Sequence, residues 1–105
     1  DSDGEPEDDP AMVQAKLDAI GRRVARRPLA TKRRAKGRLR SKGKAVRLVQ
    51  RRLAKLGYEP GFADGIYGPL TAKAVRRYQR AKGLKADGVV GKKTWASMFD
   101  NRLRP

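Results

Sequence analysis

The sequence contains no cysteine and no histidine among its 105 residues. The absence of cysteine excludes disulfides, thiol nucleophiles and thiolate metal sites. The absence of histidine removes the commonest general base and the usual zinc ligand. Because few acidic residues lie outside the first ten positions, no credible catalytic constellation remains. We therefore predict no enzyme activity, no catalytic residue, no metal site and no cofactor.

Long apolar runs are also absent, and none approaches the roughly 20 residues that a membrane-spanning helix needs. No signal peptide is visible. We therefore expect no membrane partner. The chain begins with Asp1 rather than Met, and we expect a processed product, a mature form or a fragment.

Basic residues dominate what is present, and the formal net charge is +16. Such a charge favours an anionic partner through long-range attraction and counterion release. Nucleic acid, teichoic acid, the free carboxylates of cell-wall peptides and acidic protein surfaces all fit this requirement.

The N-terminal part divides by charge into two segments. Residues 1–10 carry six acids and no base, which predicts a disordered or extended acidic tail. Residues 11–27 predict an amphipathic helix, with Asp9 as N-cap and a stop at Pro28. Its narrow apolar stripe consists of Val13, Leu17, Ile20 and Val24. One stripe cannot bury itself, so this helix packs either on its own domain or on another chain.

Residues 28–44 form a basic segment with eight lysines and arginines and no acid. Only Leu29 and Leu39 are large and apolar there. We expect a flexible linker, which acts either as a solvated spacer or as an electrostatic arm. Interleaved aromatic residues are missing, which argues against stacking on single-stranded nucleic acid.

From residue 45 to residue 105 the apolar residues recur at helical spacing, which predicts a small three-helix bundle. The predicted fold class of the chain is therefore all-α, with an N-terminal helix and a basic extended arm. The apolar positions of the first helix are Val46, Val49, Leu53 and Leu56, and Gly57 caps its end. Those of the second are Leu70, Ala74, Val75 and Tyr78, with Gly83 after them. Those of the third are Trp95, Met98 and Phe99.

An internal repeat D-G-x-x-G-x-x-T occurs twice in this module, with an offset of 23 residues between the two Asp-Gly pairs. Aspartate can hold a tight turn, the glycine after it supplies positive φ, and the apolar residue of each intervening pair can pack onto the core. The second glycine lets the chain enter a helix sharply, and threonine falls in the first helical turn. We expect these residues to build loops and caps rather than contact a ligand: Asp64, Gly65, Gly68, Thr71, Asp87, Gly88, Gly91 and Thr94.

These two motifs, with Val49-Gln50, Tyr78-Gln79 and Thr94-Trp95 in fitting order, resemble the peptidoglycan-binding domain 1 family over residues 45–100. The resemblance implies a three-helix fold, binding to bacterial peptidoglycan without catalysis, and a location in the bacterial cell envelope or outside the cell. Members usually tether a cell-wall hydrolase to its polymer. No such enzyme domain is visible here.

The ligand residues are chosen by chemistry, since sugar and peptide recognition needs exposed rings and hydrogen-bonding side chains. Tyr67 on the first loop is the leading candidate for an exposed ring, followed by Tyr58. Arg76, Arg77 and Arg80 form a basic face that could meet wall carboxylates or simply be solvated. Trp95 and Tyr78 are expected in the core.

Two other functions remain open from the sequence. The chain could be a phage virion structural protein, in capsid, tail or core, that docks on other subunits through the module and the N-terminal arm of residues 1–44 and that also contacts DNA. Nucleic acid is expected only as a non-specific partner, because the charge favours it but no recognised binding motif is present.

Overall fold

The computed structural model describes residues 10–34 and 37–99. Four helices occur there: α1 Pro10–Arg26, α2 Lys44–Lys55, α3 Pro69–Ala81 and α4 Lys92–Phe99. Within these residues the only β-structure is a set of isolated bridges, so the all-α prediction is confirmed. The predicted acidic tail and the Asp9 cap lie outside the described residues. No helix in this part of the chain is both long and apolar enough to cross a bilayer.

Helix α1 packs on its own domain, against α4. Its stripe residue Val24 is buried, and Leu17 and Ile20 are partly buried against the core. The indole Nε1 of Trp95 donates a hydrogen bond to the Leu17 carbonyl at 3.2 Å. Gly21 lies directly under that ring, so its missing side chain lets the helix approach α4. Of the two predicted partners of the apolar stripe, its own domain or another chain, the structure has the first.

Helices α2, α3 and α4 form the rest of the core. The predicted core residues Val46, Val49, Leu53, Val75 and Tyr78 are buried, as are the α4 residues of the predicted set. Two members of the predicted helical stripes are instead exposed. Leu56 is the C-cap of α2 rather than an interior position, and Leu70 in the first turn of α3 points away from the bundle.

Both helices that precede the repeated loops end in the same way. In α2, Gly57 has φ of 90° and Tyr58 N–H donates to the Leu53 carbonyl. In α3, Gly83 has φ of 73° and Leu84 N–H donates to the Gln79 carbonyl. This is the Schellman arrangement, in which a glycine at positive φ lets the following amides satisfy the last helical carbonyls.

The described residues 28–34 and 37–44 are joined to the module by backbone hydrogen bonds, so the expectation of a flexible linker is wrong for them. Leu29 is buried and exchanges two backbone hydrogen bonds with Val90, and Ala30 N–H donates to the Arg40 carbonyl. Tyr67 N–H donates to the Ser41 carbonyl. Because these bonds join the segment to both repeated loops, it forms part of the folded domain.

Gly21→Ala should destabilise the protein. A Cβ there would lie 2.7 Å from Trp95 Cδ1, and overpacking of a buried ring costs about 1–3 kcal/mol. That cost outweighs the roughly 1 kcal/mol gained from replacing a helical glycine by alanine. Urea unfolding measures the difference. The same substitution in a Trp95→Leu background is the control, because the atoms that the added Cβ would approach belong to the indole. An equal loss of stability from Gly21→Ala in both backgrounds would contradict the α1–α4 contact.

Candidate functional site

The two Asp-Gly turns have the same local geometry. Asp64 Oδ1 accepts a hydrogen bond from Ile66 N–H, and Asp87 Oδ1 accepts one from Val89 N–H, both at 2.9 Å. The glycine after each aspartate has φ of 79° (Gly65) and 74° (Gly88), a region that glycine occupies without steric cost. The Ile66 N–H holds the pKa of the Asp64 carboxyl below its ordinary value, partly opposed by desolvation.

The second glycine of each motif starts the next helix. The Gly68 carbonyl accepts from Ala72 N–H, and the Gly91 carbonyl accepts from Trp95 N–H. Pro69 occupies the first turn of α3, where its missing N–H costs nothing. In each motif the chain therefore passes from the turn at the aspartate to the start of a helix within four residues.

Gln50 on α2 connects its helix to the first turn. Its side chain is 1% exposed, and its Oε1 accepts from Gly65 N–H at 2.9 Å. Its Nε2 donates to the Ile66 carbonyl at 2.9 Å and to Thr71 Oγ1 at 3.0 Å, and lies 3.3 Å from Asp64 Oδ1. One amide thus joins α2, the turn and the start of α3.

Gln79 on α3 repeats this arrangement on the second turn. Its Oε1 accepts from Gly88 N–H at 3.0 Å. Its Nε2 donates to the Val89 carbonyl at 3.0 Å and to Thr94 Oγ1 at 3.1 Å, and lies 3.2 Å from Asp87 Oδ1. We call Gln50 and Gln79, with the turn and threonine that each contacts, the two glutamine clasps.

The structural role of the glutamines was not predicted from the residues, although both precede their D-G-x-x-G-x-x-T motif on a helix. The signal is a polar residue directly after a core position, Val49 or Tyr78, on an otherwise apolar face. A buried amide needs partners for all its polar atoms. Within the described residues, no buried side-chain nitrogen or oxygen lacks one.

Tyr67 is buried, so the prediction of an exposed ring is wrong. Its side chain is 1% exposed, and its hydroxyl donates to the Gly88 carbonyl at 2.5 Å. The phenol of the first loop thereby holds the second loop, which makes Tyr67 a structural cross-link between the repeats. Burial raises the pKa of the Tyr67 phenol well above its ordinary value, and the nearby Asp87 charge adds to this.

Of the other predicted ligand residues, only Arg76 lines the groove that is described below. Tyr58 is half-buried, and its ring meets that of Tyr78 edge to face at 5.6 Å. Arg76, Arg77 and Arg80 are all exposed on α3. Arg76 extends across Gly88, where an added Cβ would lie 3.1 Å from its Nη1, and it lines a groove described below. Arg77 and Arg80 do not line that groove.

Three large apolar side chains are exposed around the first loop: Phe62 (91%), Ile66 (57%) and Leu70 (60%). We call these three the loop face. They border a crevice of about 180 Å³ whose walls include Pro60 and Pro69. Exposed apolar groups clustered in this way are a common mark of a binding surface. Sequence reasoning missed Phe62, which lies in a loop without periodicity.

A larger groove of about 690 Å³ lies on the other side of Ile66 and Pro69. We call it the basic groove. One wall is the turn of residues 31–34, and the other wall includes Ala72 and Arg76 of α3. Arg34 Nη1 also donates to the Asp87 carbonyl at 3.2 Å. The groove and the crevice share Ile66, Gly68 and Pro69, so they form one continuous surface.

The chemistry available on this surface is recognition by apolar contact and by positive charge. Across residues 10–34 and 37–99, no group of three or more metal-ligating carboxylates occurs. Asp64 and Asp87 are both engaged by their own turns.

Residues 42–98 match a protein family that is described as "Putative peptidoglycan binding domain". The match begins slightly before the predicted module boundary at residue 45.

Several curated relatives are cell-wall enzymes. The N-acetylmuramoyl-L-alanine amidase CwlL of Bacillus licheniformis is 44% identical over 63 residues, which cover 54% of this chain and 18% of the amidase. The zinc D-Ala-D-Ala carboxypeptidase of Streptomyces albus G is 45% identical over 64 residues, which cover 56% of this chain and 24% of that enzyme. The chain therefore spans less than a quarter of the length of these relatives.

Two solved structures share the fold. The N-terminal domain of SleB superimposes with a TM-score of 0.60 at 28% identity and covers 71% of this chain and 92% of that domain. A peptidoglycan-binding protein from Clostridioides difficile, in complex with glutamine hydroxamate, gives 0.59 at 29% identity, over 71% of this chain and 42% of that protein. Both agree with a small helical bundle.

Gln79→Ala should lower the free energy of unfolding by about 2–4 kcal/mol, since it leaves Gly88 N–H and Thr94 unpaired in the core and creates a cavity. Gln50→Ala should have a similar effect on the first loop. Gln14→Ala is the control, because its side chain makes a local hydrogen bond to Asp18 on α1. Chemical denaturation measures the free energy of unfolding of all three variants. If Gln14→Ala lowers it as much as the two clasp variants do, the proposed role of the clasps is wrong.

Tyr67→Phe should cost about 1 kcal/mol at neutral pH through the lost hydroxyl bond. The raised pKa of Tyr67 means that the unfolded chain releases the phenol proton first, at about pH 10. The stability that this residue contributes is therefore complete below pH 10 and declines as pH rises further. Denaturation between pH 8 and 11 should show a shallower alkaline decline for Tyr67→Phe than for the parent protein. Parallel declines would exclude this linkage.

Proposed function

Since the chain belongs to the peptidoglycan-binding domain family, we propose that it binds bacterial peptidoglycan, without cleaving it, through the surface around its first loop. The observation that carries this proposal is the coincidence of the family match with the loop face, whose three large apolar side chains are exposed together.

The loop face has the chemistry that a glycan needs. Sugar rings present flat C–H faces, which pack on exposed apolar and aromatic side chains, and polar groups at the edge fix their orientation. Phe62 supplies an almost fully exposed ring, and the crevice beside it offers a concave wall. The clasp at Gln50 fixes the turn from which Ile66 projects, so this surface is pre-organised.

Charge should add to the attraction. Residues 45–105 carry 14 bases and four acids, a formal charge of +10. Peptidoglycan and its attached polymers are anionic, so binding should weaken as salt screens these charges. The family match, and not the charge, is the reason that we place the protein in the bacterial cell wall or outside the cell.

We do not assign the amidase or carboxypeptidase activity of the relatives to this chain. The chain spans 18% of CwlL and 24% of the carboxypeptidase, and we propose a binding role alone. Docking on virion subunits and non-specific contact with nucleic acid stay predictions from the sequence.

Phe62→Ala should reduce binding to purified sacculi about fivefold to tenfold, because an exposed ring that packs on a ligand contributes on the order of 1 kcal/mol or more. Co-sedimentation at low salt measures the change. Leu56→Ala is the matched control, as it truncates an exposed leucine that lines neither the crevice nor the basic groove. Unchanged binding of Phe62→Ala would eliminate the loop face as the contact surface.

A further inference from the structure

We propose that the basic groove binds the carboxylates of peptidoglycan stem peptides, and that residues 31–34 are a wall of this subsite rather than part of a tether. The inference rests on the proposed function and extends it from the glycan to the peptide. It concerns a segment that lies outside the residues 42–98 matched by the family.

The wall is held in place by hydrogen bonds before it, within it and from it to the second loop. Before it, Leu29 is paired with Val90, and Ala30 N–H donates to the Arg40 carbonyl at 2.9 Å. Within it, Arg34 N–H donates to the Thr31 carbonyl at 3.0 Å, which closes a turn. The Arg34 guanidinium reaches the carbonyl of Asp87 on the second loop. A tether would have none of these fixed contacts.

Positive charge converges on the groove from two elements. Lys32, Arg33 and Arg34 lie on the wall, and Arg76 lies on α3. No acidic residue lines the groove. Since like charges that are brought together repel one another, four cations around one concavity favour an anion between them.

The lining between the cations is largely apolar and identifies the kind of anion. Apart from Thr31 and Gly68, it consists of Ile66, Pro69 and Ala72, with the buried ring of Tyr67 behind them. Stem peptides carry free carboxylates on short alkyl chains, so they present both an apolar body and charged ends. Arginine holds carboxylates through paired N–H donors, which suits these ends.

Single-stranded nucleic acid fits the lining less well. Binding of single strands relies on exposed aromatic rings for base stacking, and the one ring in the groove, Tyr67, is 1% exposed. The groove also continues into the loop-face crevice through Ile66, Gly68 and Pro69. A glycan on the loop face would therefore place its attached peptide beside the cations.

The test compares two charge-matched double variants of the full chain. Lys32→Gln/Arg33→Gln removes two charges from the wall and leaves the Arg34 contact intact. Arg22→Gln/Arg23→Gln removes two charges from α1, outside the groove. Each is titrated at constant ionic strength with a soluble disaccharide-peptide, once with free carboxylates and once with the carboxylates amidated.

We expect the wall variant to bind the free acid about tenfold more weakly, since two charge-assisted contacts are lost. The α1 variant should lose about twofold, the effect of net charge alone at a screened distance. The parent protein should bind the amidated ligand more weakly than the free acid, whereas the wall variant should bind both alike. This difference is the coupling between the wall charges and the ligand carboxylates that a double-mutant cycle detects.

Equal losses in the two variants would overturn the proposal, as would discrimination that survives in the wall variant. If the wall variant instead loses affinity for duplex DNA while the two peptide ligands bind alike, the groove is a nucleic-acid site and the carboxylate assignment is wrong. Binding that depends on Phe62 but not on the wall would overturn this inference alone. A folded parent protein that binds neither sacculi nor the soluble ligand would contradict the proposed function itself.

Discussion

Two buried glutamine amides hold this fold together. Each reaches from one helix to the turn that starts the next, and each binds a backbone N–H, a backbone carbonyl and a threonine hydroxyl there. The helices that they join are short, with 12, 13 and 8 residues in α2, α3 and α4, so packing area alone holds each weakly. Satisfied polar networks in a core rigidify it and select one arrangement. The loops therefore behave as parts of the scaffold.

The binding surface follows from this constraint. Because both turns are fixed to their helices, Tyr67 of the first can reach Gly88 of the second. Leu29 then pairs with the second turn, and Ser41 and Gly43 pair with the first. As a result, Lys32, Arg33 and Arg34 line the basic groove together with Ala72 and Arg76 of α3. The apolar loop face and the basic groove are thus two sides of one ridge, Ile66 to Pro69, whose position depends on the Gln50 clasp.

The sequence predicted the helices of the module, the glycine caps and the turn motif, because each depends on local chemistry with a recognisable spacing. Long-range contacts were harder to predict. The stripe of α1 was compatible with two partners, its own domain or another chain. The contacts of α1 with α4, including Gly21 beneath Trp95, show that it packs on its own domain. Its position in a loop predicts that Tyr67 is exposed, whereas its hydroxyl donates to the carbonyl of Gly88, 21 residues further along the chain. Phe62 has no neighbour pattern that marks it, and the basic segment resembles a linker until its backbone partners on both loops are known.

The two clasps span loops of different length. Gln50 lies 14 residues before Asp64, and Gln79 lies 8 residues before Asp87, yet the hydrogen bonds are the same. The extra residues of the first loop include Phe62 and leave the frame undisturbed. Since the entropy of closing a loop grows slowly with its length, this stretch is free to gain, lose or exchange residues while the helices stay in register. The turn and its clasp must be kept, whereas the exposed residues around Phe62 can change at little cost in stability, and with them the ligand preference of the proposed site.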